Sequence, residues 1–263
     1  MRKPMSKRKT QIRSKNNKGG ITHMKTTLGF FLIISLAVFV VYCSSDNSVS
    51  DENQNAELPD VFSRFVNEVN IFVDGQSVVL ESKGVPNHSS PYWGVGNANY
   101  EAPHAGMVVN PNSIAEQNLV FRIPLNPEIA ASISNTPLGP IGISVNGVAL
   151  FNQFAGPSQP LENEIATFDR YHGHPQQTGQ YHYHIEPLFF SNDDNSLVGF
   201  LLDGFPVYGQ KDRDGTYPTD LDDANGHVGV TLDYSEGIYH YHITSDEPYI
   251  SGGFRGTSGT VSQ

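Results

Sequence analysis

The tetrapeptide Tyr-His-Tyr-His occurs twice in this chain, at residues 181–184 and 239–242. Alternation along a β-strand sends residues i and i+2 to one face, about 6.5–7 Å apart at Cα. Each copy therefore predicts a strand with His182 and His184, or His240 and His242, on one face. Tyr181 and Tyr183, or Tyr239 and Tyr241, take the other. The tyrosine face suits a core in which the hydroxyls find partners. The histidine face sets two imidazoles within reach of one metal ion, since metal–nitrogen bonds of about 2.0–2.1 Å draw two rings together.

The repeat extends upstream. Asp169 stands five residues before His174 and Asp222 five before His227; each of these histidines follows a glycine, Gly173 or Gly226. Gly179 and Gly237 each precede a Tyr-His-Tyr-His segment by two positions. Seven of the ten histidines lie between positions 172 and 242. If the two strands are neighbours, four imidazoles converge, and His174 and His227 complete a set of six. The only cysteine is Cys43, so ligands must be imidazole and carboxylate. That donor chemistry favours Zn²⁺, Cu²⁺, Ni²⁺ or Fe over soft-metal sites. Asp169 and Asp222 are candidate ligands, partners that orient an imidazole, or general bases. A structural alternative pairs neutral histidines with tyrosine hydroxyls inside an aromatic sheet.

Around this unit the pattern is one of hairpins. Apolar, β-branched runs at 69–73 and 76–80 flank Asp74-Gly75, runs at 141–145 and 148–151 flank Asn146-Gly147, and runs at 197–202 and 205–208 flank Asp203-Gly204. Asp-Gly and Asn-Gly predict two-residue type I′ turns. Residues 119–123 add a strand, and residues 162–168 allow one short helical turn. With 25 glycines and 17 prolines, the expected class is mostly β: a single β-sandwich or compact barrel-like domain of hairpins with little helix. The domain is expected over residues 61–263.

The N-terminus reads as an address. Nine of the 16 basic residues lie within positions 1–25, and an apolar run from Leu28 to Tyr42 follows Met24-Lys25. A charged segment and about 15 apolar residues predict a secretory signal over residues 1–43; a membrane span needs about 20. Met24 is an alternative start. Cys43, followed by Ser44-Ser45-Asp46-Asn47, sits where bacterial lipoproteins are cleaved and lipidated, although Tyr42 replaces the usual small residue. Residues 44–60 read as a solvated tether. The expected location is the cell envelope, outside the cytoplasm, with the membrane reached through lipid on Cys43. From Cys43 onward seven basic residues meet 27 acidic ones, a net charge of −20. Nucleic acid is excluded as a partner, because that affinity rests on Lys and Arg meeting phosphates. Divalent cations are favoured.

The paired Gly-X-Tyr-His-Tyr-His segments, together with residues 146–152, 199–209, 221–227 and 249–256, resemble the YHYH-domain family of bacterial extracytoplasmic proteins over about residues 92–256. The resemblance implies domain type and location and says little about chemistry. It also implies cysteines where this chain has Ala224 and Gly253, so such a pair is dispensable to the site.

Other features read plainly. Asp203 is expected in a turn, and the acidic stretch Asp212–Asp223 as a solvated loop, since it lacks the spacing of a Ca²⁺ loop. Trp93 is expected in the core, and His88 and His104 at the surface. Three functions stay open: a metal-binding domain, a metalloenzyme (hydrolase or oxidoreductase) with an open coordination position, or a glycan- or peptide-binding module built on aromatics.

Overall fold

In the computed structural model the described residues are 56–263. The signal segment, the Met24 alternative, the Cys43 lipidation site and tether residues 44–55 lie outside them.

The strands are β1 (Asn70–Asp74), β2 (Ser77–Ser82), β3 (Leu119–Pro124), β4 (Pro140–Ser144), β5 (Ala149–Phe151), β6 (Phe154–Gly156) and β7 (Gln159–Pro160). They continue as β8 (Gly173–Pro175), β9 (Tyr181–Tyr183), β10 (Leu197–Leu201), β11 (Pro206–Tyr208), β12 (Gly226–Gly229), β13 (Ile238–His242) and β14 (Thr260–Ser262). Helix is confined among the described residues to α1 (Glu162–Ile165) and 3₁₀ turns at Asp60–Arg64 and Pro91–Trp93. The class is mostly β, as expected. The barrel alternative fails, because both larger sheets are open: a four-stranded sheet in the order β1-β2-β3-β14 and an eight-stranded sheet in the order β12-β13-β11-β10-β4-β5-β9-β8. They share one apolar core that includes Leu80, Phe121, Ile143 and Val207. Phe62 of the first 3₁₀ turn stacks on Phe200, with ring centroids 4.6 Å apart.

The larger sheet is an internal duplication. Its strand order reads alike from either edge to the centre: β12-β13-β11-β10 against β8-β9-β5-β4. In each half a hairpin (β4–β5 or β10–β11) pairs in parallel with the Tyr-His-Tyr-His strand, and that strand pairs antiparallel with the Gly-His strand. The halves meet at β4 and β10. There Gly142 and Gly199 sit at matching positions. A Cβ on Gly142 would stand 2.4 Å from the Phe200 carbonyl, and one on Gly199 2.1 Å from that of Ile143. Only glycine permits so close an approach.

The hairpin turns differ from the type I′ expectation. Around Asp74–Ser77 the central pair is Gly75-Gln76, with Gly75 at positive φ, the arrangement of a type II′ turn. In the other two, the amides of Gly147 and Gly204 donate to Ser144 and Leu201 three residues back, and both glycines take positive φ. These are three-residue loops closed by a left-handed glycine. Asn146 and Asp203 keep negative φ, and their side chains turn into the domain.

Candidate metal centre

The upstream motif explains itself in the folded chain. Asp169 Oδ1 accepts the amides of Tyr171 and Gly173, and Asp222 Oδ1 accepts those of Ala224 and Gly226. Each aspartate thus holds the turn that carries the next histidine. Each also receives a tyrosine hydroxyl from across the strand pair, Tyr181 at 2.7 Å on Asp169 and Tyr239 at 3.0 Å on Asp222. The hydroxyl passes over the intervening glycine: a Cβ on Gly173 or on Gly226 would lie 2.3 Å from the tyrosine oxygen. Gly173→Ala is therefore expected to cost about 1–3 kcal/mol of stability, the usual penalty for overpacking a filled core. Denaturant melts check this; an unchanged midpoint would contradict it.

Asp169 and Asp222 consequently lie on the tyrosine side. Ser90 also donates to Asp169 (2.6 Å), and Arg255 Nε to Asp222 (3.2 Å). Neither belongs to the histidine groups, so the structure places them as supports of the turn and tyrosine network. His88, expected at the surface, is buried on this same side, 2.9 Å from the Tyr183 hydroxyl. Its side chain fills an aromatic nest with Tyr171 and Phe189. His104 contacts the Phe168 carbonyl at the surface, and Trp93 is half-buried, its Nε1 donating to the His88 carbonyl.

The histidines do not form one cluster. β9 and β13 are separated by four strands, roughly 24 Å along the sheet at about 4.8 Å per strand. Parallel pairing with β5 and β11, not with each other, keeps them apart. Two centres result, one in each half: His174, His182 and His184, and His227, His240 and His242 with Asp212. Within each group the ligand atoms lie within 4.8 Å of one another.

In the first centre the Nε2 atom of His182 is 3.1 Å from that of His174 and 3.0 Å from that of His184. In the second, the Nε2 atoms of His227 and His240 are 3.2 Å apart. Two nitrogens bound to one tetrahedral ion at 2.0–2.1 Å stand about 3.3 Å apart, so the spacing suits an ion between them. Tautomers are set by the opposite ring nitrogens. Nδ1–H of His182, His184, His240 and His242 donates to the carbonyls of Gln180, Asn152, Ile238 and Gly209. A carbonyl can only accept, so these Nδ1 atoms carry the proton and Nε2 is bare. His227 Nδ1 meets the carboxylate of Asp220 at 2.8 Å. His174 Nδ1 meets Thr167 Oγ1, whose own proton goes to the Glu164 carbonyl. In the first centre the three Nε2 lone pairs therefore face one another, and in the second those of His240 and His242 face His227 Nε2, which also lies 3.2 Å from Asp212 Oδ1.

Protonation does not relieve them. Burial drives His174 down to about 3, with the neighbouring His184 adding to the effect. Burial likewise lowers His184 to about 4 and His240 to about 4. His182 is lowered well below its ordinary value by burial and then by its two histidine neighbours, and His242 is lowered chiefly by burial.

Asp212 was hidden in the acidic loop. Its Oδ1 lies 3.2 Å from His227 Nε2 and 3.4 Å from His242 Nε2. The repeat gives no signal for it: residues 141–153 and 198–210 align without gaps, Gly142 on Gly199, Asn146-Gly147 on Asp203-Gly204 and Gln153 on Gln210, but the position of Asp212 is Ala155 in the first half. Ala224 and Gly253, the positions of the family cysteines, lie on adjacent segments, with the Gly252 amide donating to the Ala224 carbonyl.

No curated protein and no solved structure matches this chain. A family model described as YHYH protein matches residues 120–219 and 214–256. Those stretches contain both hairpins, both turn-forming aspartates, both Tyr-His-Tyr-His strands and all seven ligand candidates of the two centres, and the chain belongs to the YHYH protein family.

Proposed function

We propose that this protein binds divalent transition-metal ions at two separate three-imidazole centres, and that it does so outside the cytoplasm, anchored through lipid on Cys43. One observation carries the metal reading: in each group the imidazole Nε2 atoms converge, with His182 3.1 and 3.0 Å from His174 and His184, and His227 3.2 Å from His240. Burying unpaired acceptors against each other is costly, and a cation between them removes the cost. The outer nitrogens are held by carbonyls, a hydroxyl and a carboxylate, the arrangement that orients imidazole ligands. Three imidazoles with one carboxylate match four-coordinate Zn²⁺, with Cu²⁺ and Fe as the other ions such donors take.

Elemental analysis of protein made without a histidine tag tests the reading. A transition metal is expected in stoichiometric amount, and its absence after incubation with Zn²⁺ or Cu²⁺ would contradict it. The location rests on the basic and apolar N-terminal segments ahead of Cys43. Cys43→Ala is expected to move the protein from the detergent phase to the aqueous phase of a Triton X-114 separation. Equal partitioning of both forms would contradict the anchor.

A further inference from the structure

The two centres are not equivalent, and the difference traces to one position. In the second half Asp212 stands two residues after Gln210; in the first half the residue two after Gln153 is Ala155. Asp212 approaches two of its three imidazoles. Ala155 carries no donor and lines a cavity of about 330 Å³ into which His174, His182 and His184 open. Among the described residues no carboxylate belongs to the first ligand group. Glu164 is near, its Oε2 3.4 Å from His174 Nε2, as close as Asp212 is to His242, but it approaches only one imidazole of the three, whereas Asp212 approaches two.

Resting on the metal-binding reading above, we propose that the first centre is the ligand-accepting one: its ion keeps a coordination position open to the cavity for a small exogenous oxygen- or nitrogen-donor molecule of at most one negative charge, while Asp212 closes the second centre. Three neutral imidazoles leave a divalent ion its full charge, which favours an anionic fourth ligand. The cavity lining contains no Lys or Arg, and Glu164 adds a carboxylate, so polyanions such as phosphates are disfavoured. Leu138, Phe151 and Phe154 supply an apolar wall for a short hydrocarbon end. A site with three protein ligands and one open position is the arrangement of catalytic zinc, whereas four protein ligands are that of structural zinc.

The test uses Co²⁺, whose visible spectrum reports coordination, and acetohydroxamate and azide as probes. His240→Ala leaves only the first centre intact and His182→Ala only the second. With cobalt bound, the spectrum of the His240→Ala protein is expected to shift saturably with acetohydroxamate, at an affinity at least about tenfold (about 1.4 kcal/mol) above any response of the His182→Ala protein. Adding Ala155→Asp to the first is expected to abolish the shift, and adding Asp212→Ala to the second to create one. Cobalt bound with equal responses from the two centres, or with none from the first, would overturn the inference alone. Cobalt bound to neither protein would overturn the metal reading and the inference with it. Should Ala155→Asp fail to fold, the arm with Asp212→Ala, at a half-buried position, decides: no new response there contradicts the role given to Asp212.

Discussion

Metal-free protein is expected to lose its tertiary structure cooperatively as pH falls from about 6.5 toward about 4. Imidazoles of the unfolded chain titrate near 6.5, whereas in the folded chain burial lowers His174 to about 3 and His184 and His240 to about 4. Above pH 6.5 neither state holds the protons and the difference contributes nothing. Between the two values the unfolded chain binds protons that the folded chain refuses. Stability therefore declines as pH falls, by up to about 1.4 kcal/mol per pH unit for each group. Below the folded values the decline stops. An ion bound only by the native state opposes this, adding about 2.7 kcal/mol at a free concentration 100 times its dissociation constant. Zinc should thus move the acid transition to lower pH. Near-ultraviolet circular dichroism of chelator-treated and zinc-loaded protein across pH 7 to 3 checks both statements. Unchanged structure in the metal-free protein down to pH 4 would show that the imidazoles are not held neutral by burial.

The second large effect is expected at Asp203, which belongs to neither histidine group. Its carboxylate is fully buried. Its Oδ2 accepts the Tyr241 hydroxyl at 2.5 Å and the amides of Arg255 and Gly256 at 3.0 and 2.9 Å. Burial raises its pKa, and these donors oppose the rise. Asp203→Ala strands the Tyr241 hydroxyl and the Gly256 amide, while the Arg255 amide keeps the Tyr241 oxygen as an acceptor at 2.8 Å; at about 1–3 kcal/mol for each unpaired donor, a loss of about 2–6 kcal/mol is expected. The matching residue of the other half, Asn146, donates to Tyr183 and accepts from Ser144 Oγ. Asn146→Ala should cost less, about 1–2 kcal/mol, because no carboxylate is lost. Chemical denaturation of both variants measures the contrast. A mild Asp203→Ala effect would mean that the closing segment around Arg255 does not depend on this turn.

Much of this was legible in the residues themselves. Period-two alternation put histidines and tyrosines of residues 181–184 and 239–242 on opposite faces, and the folded chain keeps them there. The hairpins around Gly75, Gly147 and Gly204 fall where Asp-Gly and Asn-Gly placed them, although the turns are of other types. What local pattern could not supply was which strands pair. β9 joins β5 and β13 joins β11 by parallel ladders across long connections, and no nearby residue encodes such a choice. Hence the expected single cluster of six imidazoles proved to be two of three. Asp212 was obscured for a related reason: a ligand carboxylate and a solvated one look alike in an acidic loop, and its counterpart in the first half is Ala155, so the repeat does not single it out. His88 is hard to place from sequence because its flanking Pro, Asn and Ser suggest a surface loop, while its ring is covered by aromatics distant in sequence. Asp169 and Asp222 become intelligible only in the folded chain. They accept tyrosine hydroxyls through a glycine gap, a role visible only once strand pairs are closed.

The most direct test of two independent centres is the metal content per chain of tag-free protein and three variants, after loading with Zn²⁺ and gel filtration. Two ions are expected for the wild type, one each for His182→Ala and His240→Ala, and none for the double variant. A single ion in the wild type that either substitution alone removes would point to one shared centre, and no ion in any of the four would remove the metal reading itself.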